Sequence, residues 1–315
     1  YTYAHRLLGL AKNTCDVPVV VGGSMPTVVP RVMIENPHID YLVEGEGEVA
    51  FKELIDALIK DGDVSQVPNL WYQEDGVTKN TGLVKYLDMD EIPFQKLDFW
   101  DDKHFTKPYD GELRNTGFFE GSRGCMHKCH YCINRAFQVF QEEAGKVRRN
   151  KSPRRIVDEV KAIHKERNFN LIMFTDDNFL GRQPRELDEF FKLWEAEIGL
   201  PYWINTCIET VNDHNLPLLK ASGCVGIAIG LETGSDWVRK NLLLKGKMNN
   251  KFYMEKFALM AKYKIRSTAN NMLGIPGEYE EDFFETIKLN KKIRALDPEL
   301  TSFDVSFMAP YMGTV

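Results

Sequence analysis

GFFEGSRGCMHKCHYC, residues 117–132, sets an apolar strand-like run, GFFEGS (117–122), directly before a short loop carrying Cys125, Cys129 and Cys132. Five further runs repeat the strand: NLIMFT (170–175), YWINTC (202–207), VGIAIG (225–230), RSTANNM (266–272) and TSFDVSF (301–307). Helical spacing fills the intervals over Pro153 to Arg167, Arg185 to Ile198, Asp213 to Ala221, Asn250 to Tyr263 and Glu280 to Ala295. Ser152 before Pro153 is a sound helix start, with proline in the first turn. Such alternation predicts parallel strands covered on both faces by crossover helices. Six strands and five helices are most of a β/α barrel, so the fold class is α/β with a partial (β/α)6 TIM-like barrel. In such barrels chemistry sits at the carboxyl ends of the strands.

The preceding residues read differently. A helix over Tyr3 to Asn13 is followed by VPVVV (17–21), which ends in Gly22-Gly23. A second helix is expected over Val28 to Asn36, then the strand DYLV (40–43), closed by Gly45-Glu46-Gly47-Glu48, then the helix VAFKELIDALIK to Lys60. Two strand–glycine–helix units are too few for a free-standing doubly wound domain. The chain starts at Tyr1 and stops at Val315, and the expectation is a piece of a longer protein whose first half of this domain is missing. Residues 61–112 read as a connector packed across a larger domain. It holds a small hairpin turned at Asp75-Gly76 and a stretch rich in Pro, Asp and aromatics. The division expected is therefore 1–60, 61–112 and 113–315.

Hydrophobic residues make up 43% and charged residues 27% of the 315, an ordinary globular composition that excludes a disordered or collagen-like chain. Lys plus Arg is 40 and Asp plus Glu 46, a net charge of −6, which argues against a nucleic-acid-coating protein. The basic run Lys146, Arg148, Arg149, Lys151, Arg154 and Arg155 reads as a solvated loop entering a helix. No apolar run is long enough to span a membrane and no signal peptide is visible, so a reduced cytoplasmic compartment is the default. Six cysteines are too sparse for a disulfide scaffold. Cys207 and Cys224 read as packing residues, and Cys15 has no evident role.

Three thiols at spacings of four and three converge readily on one soft metal centre. Three cysteines on a 4Fe–4S cube leave one iron open to a chelating substrate. The rival is structural zinc with His127 or His130 as fourth ligand, but zinc sites usually use paired arms separated by a longer loop, and no second arm is present.

CMHKCHYC (125–132) resembles the CxxxCxΦC signature of the radical S-adenosylmethionine superfamily, with Tyr131 as the aromatic. FTDDNF (174–179), GLETGSD (230–236) and GIPGE (274–278) are similar to strand-end motifs of its cobalamin-dependent subgroup. APYMGT (309–314) resembles that subgroup's usual close, except that Met312 stands where proline is common. The stretches VVVGGSMPT and DYLVEGEGEVAFKELI resemble the closing half of the subgroup's Rossmann-like cobalamin-binding domain. The resemblance covers essentially the whole chain.

It implies a 4Fe–4S cluster on Cys125, Cys129 and Cys132. It implies S-adenosylmethionine contacts at Tyr131 (backbone to adenine), Asp176, Glu232 (to the methionine ammonium), Gly274 and Ile275. Cobalamin contacts would come from Gly22, Gly23, Ser24, Gly45, Glu46 and Gly47, with no histidine motif for a lower cobalt ligand in these residues. The activity implied is methyl transfer to an unactivated carbon through a 5′-deoxyadenosyl radical and methylcobalamin. The substrate would be a small molecule or peptide, and an electron donor such as flavodoxin or ferredoxin would feed the cluster. Cyclisation or rearrangement on the same cofactors is the alternative, and a non-catalytic zinc-stabilised binding module is the alternative of another class.

Overall fold

The computed structural model describes residues 2–314. They form two compact units, each assembled from separated stretches of chain. One comprises the residues up to Leu87, His130–Val147 and the residues from Pro310 onward; the other comprises Asp88–Cys129 and Arg148–Ala309.

The first unit opens with α1 (Thr2–Thr14) and β1 (Val20–Val21), then α2 (Ser24–Val28) and α3 (Pro30–Ile34). After these come β2 (Tyr41–Val43), α4 (Ala50–Ile59), β3 (Leu70–Glu74) and β4 (Val77–Asn80). The four strands make one sheet in chain order, β1 parallel to β2 and the others antiparallel. VPVVV contributes only its last two residues as strand. The single helix expected over 28–36 is instead α2 and α3, broken at Val29, whose φ of −131° and ψ of 53° leave the helical region. The cause is Pro30, which clashes with a helical residue before it and then starts α3 at its first turn. The hairpin turns at Asp75 (φ 49°) and Gly76 (φ 75°), the left-handed pair its strand twist favours. It adds two strands to this sheet through β2. Leu42, Leu54 and Leu70 are fully buried between sheet and helices. A helix not anticipated from the sequence, α5 (Ile133–Phe140), packs against α2.

The second unit holds β5 (Thr106–Tyr109), β6 (Glu112–Phe119), a short ribbon of β7 (Ser122–Arg123) with β8 (Arg149–Asn150), and α6 (Pro153–Arg167). There follow β9 (Leu171–Phe174), α7 (Pro184–Glu197), β10 (Tyr202–Thr206), α8 (Asn215–Ala221), β11 (Cys224–Glu232) and α9 (Asp236–Asn241). The series closes with α10 (Asn250–Lys262), β12 (Ser267–Leu273), α11 (Glu280–Arg294) and β13 (Thr301–Phe307). The sheet order is β13-β12-β11-β10-β9-β6-β5, six strands parallel in chain order and β5 antiparallel on the edge. The fold is thus mixed α/β with an open parallel sheet. Ser152 caps α6 by accepting from Arg155 N. Trp194, Tyr202, Phe174, Phe179 and Phe190 form a continuous aromatic core under the sheet, with ring centroids 4.7–6.0 Å apart. No helix among the described residues is long and apolar enough to cross a membrane.

Candidate functional site

Sequential parallel strands deliver their carboxyl ends to one edge of a sheet, and ligands bind at such edges. In the larger unit that edge receives the cysteine loop after β7, the Asp176 turn after β9, Cys207 and Glu209 after β10, Glu232 ending β11 and Gly274 after β12.

The entry to the cysteine loop is fixed by a buried polar network. Asp176 accepts from Gly121 N at 2.9 Å and from the Ser122 hydroxyl, and faces Arg182 Nη2 at 3.5 Å. Both side chains of that ion pair are essentially inaccessible. Arg182 donates in turn to the carbonyls of Lys151 (2.8 Å) and Gly121 (2.5 Å). Arg148 donates from Nη1 to Ser122 Oγ (2.7 Å) and the Gly124 carbonyl (3.1 Å), and from Nη2 to the carbonyls of Asn178 (3.0 Å) and Gly181 (3.3 Å). Burial depresses the pKa of both arginines. The expectation of a solvated basic loop is therefore corrected at Arg148 and Lys151. Arg148 ties the residue before Cys125 to the loop after β9, and buried Lys151 pairs with Glu159 at 2.6 Å. Asp176 is occupied by the fold, which gives it a bracing place.

Beyond this brace lie Cys125 and Cys129, both buried. Cys125, His127 and Cys207 bring one donor atom each to within 4.8 Å of one another. The Cys207 thiol donates to Cys125 and, against the effect of burial, pulls its pKa down to about 6, helped by the His127 backbone and ring. Cys207 itself is pushed up by that bond and by burial. His127 Nε2 meets Glu209 Oε1 at 2.8 Å, a bond that raises the imidazole's pKa while burial opposes it. The packing role expected for Cys207 is thus replaced by a place beside Cys125. Cys224 is the buried packing thiol expected, pushed up to about 12 by desolvation. All six cysteines are thiols.

Glu232 ends β11 with φ of 68°, a left-handed conformation uncommon for a non-glycine residue. Lys245 donates to its Oε1 at 3.0 Å and to the Gly230 carbonyl at 2.7 Å. Gly274 has φ of 75° with nothing within 4 Å of a Cβ placed there. Its N–H and that of Ile275 donate to Glu278 Oε2 at 3.0 and 3.2 Å, so a carboxylate preshapes this turn. The roles of Arg148, Glu209 and Lys245 escaped the sequence reading because their partners lie 13 or more residues away in the chain.

In the smaller unit Cys132 is the N-cap residue of α5, and Asn134 Nδ2 approaches its sulfur at 3.7 Å. Tyr131 is half-buried beside it. Gly22, Gly23 and Ser24 follow β1, and Gly45, Glu46 and Gly47 follow β2, the parallel pair. The structure brings these two turns together: Gly45 N donates to Thr27 Oγ1 of α2 at 2.9 Å. Gly22 to Ser24 are exposed.

Residues 119–289 match the family model described as the Radical SAM superfamily. A protein of Pyrococcus horikoshii named an uncharacterized methyltransferase is 29% identical over 314 residues, 99% of this chain and 65% of its own. The anaerobic magnesium-protoporphyrin IX monomethyl ester cyclase of Rubrivivax gelatinosus is 25% identical over 300 residues, 91% of this chain and 51% of its own. The chain therefore spans between half and two thirds of the length of these curated relatives. Among solved structures, the radical S-adenosylmethionine methyltransferase TsrM from Kitasatospora setae, with cobalamin and a [4Fe-4S] cluster bound, superposes with a TM-score of 0.70. It is 18% identical, over 98% of this chain and 59% of that one, and so shares its fold.

Proposed function

The chain belongs to the radical SAM superfamily, and from that premise we propose that it is the catalytic portion of a cobalamin-dependent radical S-adenosylmethionine methyltransferase. The observation that carries the reading is the thiol loop at the carboxyl end of the first of six sequential parallel strands. The thiolate donor set suits an iron–sulfur cluster. When bound, cluster and S-adenosylmethionine supply one-electron radical initiation, and cobalamin supplies a transferable methyl group.

The chain's own residues then bind and orient. Cys125, Cys129 and Cys132 hold the cluster and leave one iron open. Glu232 takes the methionine ammonium through a charge-assisted bond, displacing or sharing Lys245. The Gly274–Ile275 backbone, held by Glu278, lies along the adenosyl group, and the Tyr131 backbone meets the adenine. Asp176 acts through the loop it braces. The exposed turn Gly22–Ser24 and the half-buried turn Gly45–Gly47 admit the cobalamin tail. On this reading the larger sheet is a partial (β/α)6 barrel and residues 1–60 the closing half of a Rossmann-like cobalamin domain. A flavodoxin or ferredoxin is the electron donor, and the substrate is a small molecule or peptide with an unactivated carbon.

The test is anaerobic reconstitution of the full-length protein, followed by metal analysis and product mass spectrometry with reductant and labelled S-adenosylmethionine. Iron with equimolar sulfide, 5′-deoxyadenosine and a product carrying the labelled methyl group are expected. Failure of metal-free protein to take up iron and sulfide on reconstitution, with zinc the only metal it binds, overturns the reading. The similarity to a cyclase favours a second outcome, the same radical start with no methyl gained, and product mass separates the two.

A further inference from the structure

Cys125, His127 and Cys207 form a compact S,N,S donor set that draws on two strand ends and shares only Cys125 with the three clustered cysteines of the loop. Their donor atoms lie within 4.8 Å of one another, close enough that small side-chain rotations bring all three onto one tetrahedral ion. A second, independent feature has the form of a metal site's outer shell. His127 is gripped at Nε2 by Glu209 at 2.8 Å, the carboxylate–imidazole pairing that orients metal-bound histidines. The other carboxylate oxygen, Glu209 Oε2, is buried without a hydrogen-bond partner, a cost that a nearby cation offsets. Both residues after β10 that take part, Cys207 and Glu209, belong to a single 3-10 turn, Ile208–Thr210 with Cys207 as its N-cap, so backbone geometry holds them at fixed spacing.

We propose that the cluster-free chain binds one zinc-class divalent ion on Cys125, His127 and Cys207, with Glu209 as the orienting carboxylate and a water in the fourth position. Both sulfurs coordinate as thiolates, so binding releases the protons they carried. Cys125 is shared with the cluster set, so the ion and the cluster exclude one another, and the site decides whether a newly made chain accepts iron–sulfur or is held by zinc. That exclusion rests on the cluster reading above; the ion site itself does not.

Cobalt(II), added anaerobically to cluster-free protein, is the probe, because a tetrahedral two-thiolate site gives charge-transfer and strong visible bands. Bands are expected in the unaltered protein and in Cys129→Ala. A loss of at least about tenfold in affinity is expected for Cys207→Ser and for His127→Asn, the scale of losing a ligand or its support. Two variants are used because either alone could misfold, and circular dichroism checks each. Absence of bands in the unaltered protein, their persistence in Cys207→Ser, or their loss in Cys129→Ala overturns the site. In the second arm, one equivalent of zinc before reconstitution lowers iron uptake in the unaltered protein and not in Cys207→Ser. Failure of Cys207→Ser to load any cluster makes Cys207 a cluster ligand and also overturns the separate site. If cobalt binds as expected and zinc leaves iron uptake untouched, the ion site stands and the cluster role of Cys125 falls.

Discussion

The two sheets offer the same kind of edge, the carboxyl ends of parallel strands, and make it from opposite materials. In the larger unit β11 runs nine residues and the strand ends carry charged side chains fixed by buried bonds: Asp176 with Arg182, Arg148 with four acceptors, Glu232 with Lys245. In the smaller unit β1 and β2 have two and three residues, and the edge is glycine backbone. A side-chain edge is held by networks, so disturbing it costs folding energy. A backbone edge is held by φ angles and clearance, so only an added Cβ disturbs it.

The largest effect tests the first half of that contrast. Asp176→Asn leaves Arg182 buried without its counter-charge, and a loss of about 3–5 kcal/mol is expected in urea unfolding. A variant as stable as the parent but weaker for S-adenosylmethionine would move Asp176 from brace to ligand. Next, Arg148→Ala orphans acceptors on both sides of the clamp and should cost about 2–4 kcal/mol. Arg148→Lys should recover only part of this, since one ammonium cannot span a guanidinium's fork.

The backbone edge gives smaller numbers. A Cβ on Gly45 would sit 2.5 Å from Gln141 Oε1, at φ of 77°, and Gly45→Ala should lower stability by about 1–3 kcal/mol, the cost of left-handed strain plus a close contact. Adding Gln141→Ala should relieve the contact and leave the strain. Gly274→Ala, with the same strain and open space, should match that double variant at about 1–2 kcal/mol. Smallest is Glu44→Gln. Burial holds the Glu44 carboxyl above its ordinary range although Trp71 Nε1 donates to it at 2.5 Å. A raised carboxyl contributes fully below its unfolded pKa and loses that contribution as pH rises through the folded value. The glutamine variant should therefore melt higher than the parent at neutral pH, by under about 1 kcal/mol, and show no gain in acid.

The central strands β9, β10 and β11 were legible as short, largely apolar runs buried on both faces, whereas TSFDVSF matches β13 residue for residue although that strand is mostly exposed. Turn chemistry was legible too, in Asp75-Gly76 and in Ser152 with Pro153. The broken helix at Val29 could have been read from Pro30 alone. What stayed hidden was non-local. Arg148 and Lys151 look like solvent-facing charges until Asn178, Gly181 and Glu159 are placed around them. Cys207 looks like packing until β10 carries its end beside the cysteine loop. The helix α5 was masked by the motif directly before it.

That helix has a consequence for how the protein can be cut. The chain leaves the larger unit after Cys129, forms α5 in the smaller unit, and re-enters the larger one at Arg148; residues from Pro310 cross once more. A clean cut after Leu87 would strip α2 from α5 and leave Gly313 without Val28, to which it packs. The two units are therefore a single heritable piece: recombination or modular engineering can exchange them together, and no one break in the gene separates them.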